Sequence, residues 1–592
     1  MIHRLAPPFY RRTGRHERGP SIFGAAEKSG PVRSETLDRN ASTVWRCGDR
    51  CLYAPGTSNR AGQAADSETR TPPPIPPFNS SSSRQFTYLA LRVYYSGEAI
   101  NTGSAIHEQL VAQKEEPSMG PMTTVPKNAL ASSSQMRRRE FLSLIGAGGA
   151  AALMDTFGAA EETATPRRPN IILIVADDLG YADIGCFGCV DIPTPNIDSL
   201  AQNGVRFTDG YVTCPVCSPS RAGFMTARYQ QRFGHEFNPG PPAQMSPAFG
   251  LPPGEITVAD ALKAAGYVTG LVGKWHLGLK PEFHPLKRGF DEFFGFPHGG
   301  HSYINPKEDP LNPILRGTEP VDEKEYLTDA FTREAAAFIE RHRTDPFFLF
   351  LSYNAVHTPM QAPDKYLKRF PNITNKNRRT YAAMLSAMDD GIGAVLRKLD
   401  ETGLGDDTLI FFFSDNGGPL IVNASSNAPL SGSKGTVLEG GIRVPFIIQW
   451  RRRIPRGTVY RNPVISLDVF PTAAAAAGAQ LPGDRVIDGV NLVPYLPGEK
   501  TSPPHDILFW RFGNADAVRR KNWKFIKVGD KSALFDLSAD IGEKNNLTKE
   551  RPDVVGELTA ALAKWESGLI PPRWATPAPQ RAKQATEKPA TF

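Results

Sequence analysis

Four short apolar runs constrain the fold of this chain more than any other feature. IILIVA (Ile171–Ala176), YVTGLVG (Tyr267–Gly273), FFLFLSY (Phe347–Tyr353) and LIFFFS (Leu409–Ser414) are nearly continuous in Ile, Val, Leu and Phe. Strands that read this way are buried on both faces, as in a parallel sheet covered by helices. Helical patterns lie between them, so Arg167 to about Gly568 reads as α/β with a large, mostly parallel sheet. Each run gives way to polar residues. The first ends in Asp177-Asp178, the second in Lys274-Trp275-His276, and the fourth in Asp415-Asn416-Gly417-Gly418, while the third leads to His357. Open α/β sheets bind ligands at the carboxyl ends of their strands, so one edge is expected to collect these groups. Each alone has an ordinary explanation as a cap, a turn, a core histidine or a loop lysine. Four together are hard to attribute to caps.

The residue types indicate a chemistry. Asp177, Asp178, Asp415 and Asn416 are oxygen donors carrying three formal negative charges. An adjacent Asp pair repels itself unless a cation neutralises it. Oxygen-only ligation favours a hard divalent ion, Ca²⁺ or Mg²⁺, over zinc. Arg221, Lys274 and Lys434 (in SGSKGTVLEGG, Ser431–Gly441) add fixed positive charge. A metal beside several cations suits a multiply oxygenated anion, a sulfate or phosphate ester. His276 and His357 are able to move protons near neutral pH.

A nucleophile is still needed, and TCPVCSPSRAGFMTAR (Thr213–Arg228) offers Cys217. Three readings stand open: a metal ligand, half of a dithiol, or a reactive residue. Cys186-x-x-Cys189 and Cys214-x-x-Cys217 form two C-x-x-C pairs, but the 24 residues between them exceed the usual zinc spacing. No thioredoxin-like context supports a redox couple. Pro219 fits the first turn of a helix with Cys217 and Ser218 just ahead of it. Cys217 is then expected at a helix N-terminus, where N–H groups favour an anion, with Arg221 about one turn on.

Here the residues resemble the sulfatase family, in its formylglycine-dependent branch within the alkaline phosphatase superfamily. The family signature C-x-P-S-R, closed by a T-G-R-like ending, stands as Cys217-Ser218-Pro219-Ser220-Arg221 with Thr226-Ala227-Arg228. Ala227 replaces the usual glycine. Matching stretches include PNIILIVADDLGYADIGCFG, TPNIDSLAQNGVRFTDGY, GKWHLG, HTPM, SDNGG and GGIRVPFIIQW, across nearly all of Arg167–Leu547. The resemblance implies an alkaline phosphatase-like fold and a hydrolase of sulfuric esters. It implies that a maturation enzyme oxidises Cys217 to formylglycine (3-oxoalanine), whose hydrate attacks the ester sulfur. It implies Ca²⁺ (or Mg²⁺) at Asp177, Asp178, Asp415 and Asn416, with Arg221 activating the hydrate and Lys274 binding sulfate oxygens. His276 is then the base that helps release sulfate, while His357 and Lys434 assist the departing alcohol. A phosphonate monoester or phosphodiester hydrolase of the same superfamily is the alternative, and a glycan-binding protein without catalysis a third reading.

Outside this core the chain changes character. Residues 1–135 contain TPPPIPP and NSSSSR without sustained periodicity, and read as a disordered or mis-assigned extension. Residues 136–165 begin MRRREFLSLIGAGGAAALM, a twin-arginine-like export signal with 13 apolar-stretch residues, Leu142–Met154, too few to span a bilayer. Translation is therefore expected to start at Met136, and a bacterial protein exported to the periplasm or beyond, without stable membrane insertion, is expected. Cys217 would be converted in the cytoplasm before folding. A catalytic domain is assigned to 166–480, a smaller C-terminal domain with an antiparallel sheet to 481–570, and a flexible tail to 571–592. The sheet is read from DILFWRFG, KNWKFIKVG and SALFDLSAD, with a helix over Val554–Leu569. The net charge of +7 is small for 592 residues and lacks a basic block with interleaved aromatics, which argues against nucleic acid. A sulfated polysaccharide or glycosaminoglycan is the expected substrate class. His298 and His301, in a segment where sulfatases vary, read equally as sugar contacts or loop histidines.

Overall fold

A computed structural model describes residues 167–240, 249–305, 309 and 311–575. Residues 1–166, where an extension and an export signal are expected, and the expected tail beyond residue 575 lie outside the described residues. The strands, in chain order, are β1 (Asn170–Ala176), β2 (Val205–Phe207), β3 (Gly210–Tyr211), β4 (Val268–Lys274), β5 (Glu292–Phe296), β6 (Leu315–Arg316), β7 (Glu319–Pro320), β8 (Phe347–Ser352), β9 (Thr408–Ser414), β10 (Phe446–Gln449), β11 (Thr458–Tyr460), β12 (Val464–Ile465), β13 (Ile507–Phe512), β14 (Ala515–Arg520), β15 (Trp523–Val528) and β16 (Lys531–Asp536).

The four apolar runs become β1, β4, β8 and β9, at the centre of a ten-stranded sheet ordered β11-β2-β10-β9-β1-β8-β4-β5-β6-β7. From β9 to β5 every pairing is parallel. The sheet turns antiparallel at β10 on one side and at β6 and β7 on the other, so it is mixed overall. Although the runs are apolar throughout, their alternate residues serve two separate cores. Ile172, Ile174, Leu349, Leu351 and Phe412 pack under the helices Leu327–Arg341 and Lys376–Glu401. Ile171, Leu173, Val175, Phe350, Phe411 and Phe413 pack on the other face, with Phe224 of the helix Cys217–Thr226. Each large apolar side chain buried this way contributes roughly 1.5–3 kcal/mol against the entropy of ordering the chain.

Register does the positioning. Ala176 pairs with Ser414, so Asp177 and Asp415 leave the sheet at one level; Gly273 pairs with Ser352, so Lys274 follows beside them. The helix carrying the C-x-P-S-R stretch begins at Cys217 itself, two residues earlier than Pro219 suggested, and all ten of its residues are buried. It stops at Ala227, which holds φ 56° in the left-handed region. That conformation explains why glycine is usual there: a Cβ is penalised in a left-handed C-cap.

The C-terminal part forms a four-stranded antiparallel sheet, β13-β14-β15-β16, one strand more than the sequence indicated. The additional strand is ADAVRR (β14), which its charges disguised. The helix runs over Pro552–Glu566, slightly ahead of its expected span. This sheet shares a core with Tyr211, Cys214 and Val216, the residues leading into Cys217. No described helix is long and apolar enough to cross a membrane.

Candidate active site

At the carboxyl edge of the central strands, Asp177, Lys274, Arg221, Asp415 and Asn416 are all fully buried. Charges so far from water persist only when paired and hydrogen-bonded. Lys274 Nζ lies 2.5 Å from Asp177 Oδ2, and Lys434 Nζ lies 2.6 Å from Asp178 Oδ1. Each member of the Asp pair thus has its own lysine. The Arg221 guanidinium takes Asp415 Oδ2 from Nε at 2.9 Å and Nη2 at 2.8 Å. Its Nη1 donates to the Lys274 carbonyl at 3.2 Å and to Ser352 Oγ at 2.8 Å. Arg221 therefore braces three strand ends. Burial alone would raise the Asp178 carboxyl, but Lys434 and His357 outweigh it and hold it near about 2. Asp178 itself sits at φ 63°, a strained conformation for a non-glycine residue.

Cys217 Sγ lies 3.2 Å from Lys434 Nζ and 3.6 Å from Asp177 Oδ1. Burial pushes its thiol up to about 12 although Lys274 and Lys434 pull it down, so at neutral pH it carries a proton. As a plain cysteine it is a poor nucleophile. His357 Nε2 stands 3.7 Å from Asp178 Oδ2, while its Nδ1 bonds the Thr358 carbonyl at 2.6 Å. Because a carbonyl only accepts, Nδ1 carries the hydrogen and Nε2 is left facing the site. Burial lowers His357 to about 4 and, aided by Lys274, lowers His276 well below its ordinary value, so both rings are neutral near pH 7.

The ten expected site residues therefore gather in one place. Sequence reasoning missed the residues that support them. A Cβ on Gly299 would stand 2.5 Å from His276 Nε2, and one on Gly300 would stand 3.4 Å from His357 Cε1. The Gly-Gly pair in Pro297–His301 gives both imidazoles their room. His298 stacks obliquely on His276 at 5.8 Å between ring centroids. His301 instead bonds the carbonyls of Ser302 and Asn312, both at 2.8 Å, and is a structural loop histidine. Cys186 and Cys189 lie on a different turn, and Cys189 bonds Asp191, so the two C-x-x-C pairs do not form a centre. Cys214 is a buried core residue.

The donor set accommodates a hard cation. Asn416 Oδ1 is buried without a hydrogen-bond partner. Burial and neighbouring Asp177 push the Asp415 carboxyl up even though Arg221 is bound to it. An orphaned carbonyl oxygen beside a carboxylate short of positive charge is what an oxygen-ligated divalent ion relieves. Asp177, Asp178, Cys217 and His357 also place one donor atom each within 4.8 Å of one another. With a protonated thiol, that second grouping is the poorer ligand set.

Comparison with known proteins agrees with this geometry. Residues 169–479 match the Sulfatase family, and residues 433–567 match the family described as N-sulphoglucosamine sulphohydrolase, C-terminal. Mouse (Mus musculus) steryl-sulfatase is 35% identical over 545 residues, covering 71% of this chain and 86% of that protein. Human (Homo sapiens) N-acetylgalactosamine-6-sulfatase is 33% identical over 462 residues, covering 69% and 87%. Among solved structures, Ps i-CgsB in complex with k-i-k-neocarrahexaose superposes with a TM-score of 0.67 at 38% identity, covering 71% of this chain and 98% of that one. A phosphonate monoester hydrolase from Silicibacter pomeroyi, at 20% identity and TM-score 0.53, shares the architecture alone. With buried acids, paired lysines and a C-x-P-S-R helix at one sheet edge, the chain belongs to the sulfatase family and is a sulfuric ester hydrolase.

Proposed function

We propose that this enzyme removes sulfate from a sulfated polysaccharide or glycosaminoglycan, using a formylglycine made from Cys217 and a calcium ion held by Asp177, Asp178, Asp415 and Asn416. The observation that carries the reading is the placement of Cys217: the first residue of a buried helix, between Lys434 and Asp177, with a thiol too basic to attack. Converted to formylglycine, this position supplies an oxygen nucleophile to the ester sulfur and lets sulfate leave as the aldehyde reforms. The ion supplies a fixed double positive charge that stabilises negative oxygens there.

The chain's own groups do the rest. Lys274 and Lys434 hold positive charge where the sulfuryl group transfers, and Lys274 is fully buried, which strengthens its effect. Arg221, fixed through Asp415 and Ser352, keeps the helix N-terminus aligned with the acids. His276, neutral at working pH, accepts the proton that accompanies sulfate release. His357 handles the proton of the departing alcohol at Nε2, beside the charge of Lys434.

The carbohydrate class rests on relatives: an N-acetylgalactosamine-6-sulfatase among the sequences, and a structure holding k-i-k-neocarrahexaose. A maturation enzyme reading C-x-P-S-R, and export through a twin-arginine-like signal after conversion, complete the reading. Inorganic sulfate release from a panel of sulfated saccharides tests it, with a phosphate diester alongside. Faster turnover of the diester than of every sulfate ester would favour the phosphonate and phosphodiester class instead.

A further inference from the structure

His235 is fully buried and follows the Cys217 helix in the chain, and its side chain meets Ser218 and Trp574. Its Nε2 lies 2.7 Å from Ser218 Oγ, and the same Oγ lies 2.6 Å from the main-chain oxygen of His276. A carbonyl only accepts, so the single hydroxyl proton of Ser218 goes to His276. His235 therefore donates from Nε2 into Ser218, and the hydrogen-bond network assigns the tautomer. Burial lowers this imidazole to about 3, which keeps it neutral and the donor arrangement intact across working pH.

Both ends of this chain of bonds matter. Ser218 directly follows Cys217 at the helix start, where the N-cap Val216 offers no side-chain bond. The helix N–H of Ser218 is instead taken by Asn238 Oδ1 at 2.9 Å, from the same loop as His235. His276 holds φ 63°, a left-handed conformation that a non-glycine residue keeps only when its neighbours impose it. Its N–H is tied to the Pro297 carbonyl at 3.0 Å, and its carbonyl is tied by Ser218. The His235 loop is itself clamped from the far end of the chain. The Trp574 ring meets His235 edge-on at 4.7 Å, Trp574 Nε1 donates to the Phe237 carbonyl at 3.2 Å, and Arg573 N donates to the Gly234 carbonyl at 2.9 Å.

We propose that His235 is a positioning residue: through Ser218 it locks the start of the Cys217 helix to the strained main chain of His276, and so sets the spacing between nucleophile and base. The proposal rests on the roles given above to Cys217 and His276.

The test uses the full chain co-expressed with its maturation enzyme, assayed on 4-nitrophenyl sulfate, with formylglycine content read by mass spectrometry. Misplacing a reacting group by about 1 Å costs about 100-fold, so H235L lowers kcat by about that factor while KM moves less than about threefold. Formylglycine content and melting temperature stay near wild type. H235Q, whose amide N–H reaches where Nε2–H was, regains at least about tenfold of the loss. Ser218→Ala, which deletes the middle of the relay, reproduces the H235L loss, and the double variant is no worse than either single one. Should H235L not fold, Ser218→Ala carries the same expectation alone. The proposal is overturned by a kcat within about threefold of wild type in the variants, by H235Q doing no better than H235L, or by a loss that follows formylglycine or melting temperature. A wild-type protein that releases no sulfate overturns the functional reading and the relay with it. An active wild type with an unimpaired H235L overturns the relay alone.

Discussion

Removing Lys524 takes away the cation shared by two buried carboxylates and should be among the most damaging single changes in the C-terminal sheet. Lys524 Nζ lies 2.8 Å from both Glu439 Oε1 and Glu543 Oε1, and all three side chains are fully shielded. Burial would raise the Glu439 carboxyl, but Lys524 and Arg443 reverse that and hold it well below its ordinary range. Burial, with Glu439 adding to it, pushes Glu543 the other way. In Lys524→Met, Glu439 keeps Arg443 at 3.2 Å and the Tyr211 hydroxyl at 2.6 Å, while Glu543 keeps the Glu439 N–H at 2.7 Å. Glu543 then takes up a proton, so the loss falls at the lower end of the ~3–5 kcal/mol expected for breaking a buried pair. With m about 3 kcal/mol/M, the urea midpoint falls by about 1 M. Glu439 follows Lys434 by five residues and opens the helix Glu439–Ile442, so kcat should fall as well. Urea unfolding followed by tryptophan fluorescence reads the first effect, and 4-nitrophenyl sulfate turnover the second. The double variant Lys524→Met/Glu543→Gln should recover more than about 1 kcal/mol, since it no longer leaves a second buried carboxyl that must be protonated. A Lys524→Met variant as stable as wild type would refute the claim that Lys524 is what neutralises Glu439 and Glu543 in the core.

Three further outcomes are expected. Ala227→Gly relieves a left-handed alanine and should stabilise by about 0.5–1 kcal/mol net of backbone entropy, read as a higher melting temperature; a lower one contradicts the strain reading. Burial, with Glu566 adding to it, raises Asp516 from its ordinary 3.8 to about 6, so the folded state holds a proton that the unfolded chain releases. That group's contribution is most favourable below pH 3.8 and is lost as pH rises towards 6. Asp516→Asn should therefore stabilise at pH 7 by about 1 kcal/mol, after discounting for its partial exposure, and change nothing near pH 3.5; equal gains at both pH values contradict the assignment. Chelation with EDTA should lower the melting temperature as well as activity, and Ca²⁺ should restore both; an unchanged melting temperature argues against a resident ion at Asp177, Asp178, Asp415 and Asn416.

How much of the molecule was legible in the sequence depends on how local each feature is. The strands β1, β4, β8 and β9 were readable because full burial forces unbroken apolar runs, and their polar exits marked the functional edge. The Cys217 helix was readable from Pro219 and Arg221, although its first residue is Cys217 itself. β14 was not, because ADAVRR gains its burial from β13 and β15 rather than from its own composition. Ser352, His235, Asn238 and the Gly299-Gly300 pair were equally invisible. Each acts through a partner that only the fold brings near: Arg221, Ser218, or the rings of His276 and His357. The lysine paired to each of Asp177 and Asp178 was foreseen only as nearby positive charge; which lysine meets which acid depends on the register of the sheet and on the Lys434 loop.

Intact-peptide mass spectrometry of Thr213–Arg228 from freshly purified, active enzyme tests the central claim most directly. The account predicts that Cys217 is present as the aldehyde, and that sulfate release scales with aldehyde content across preparations and disappears in Cys217→Ala. Full sulfatase activity from protein whose Cys217 is wholly an unmodified thiol would contradict it.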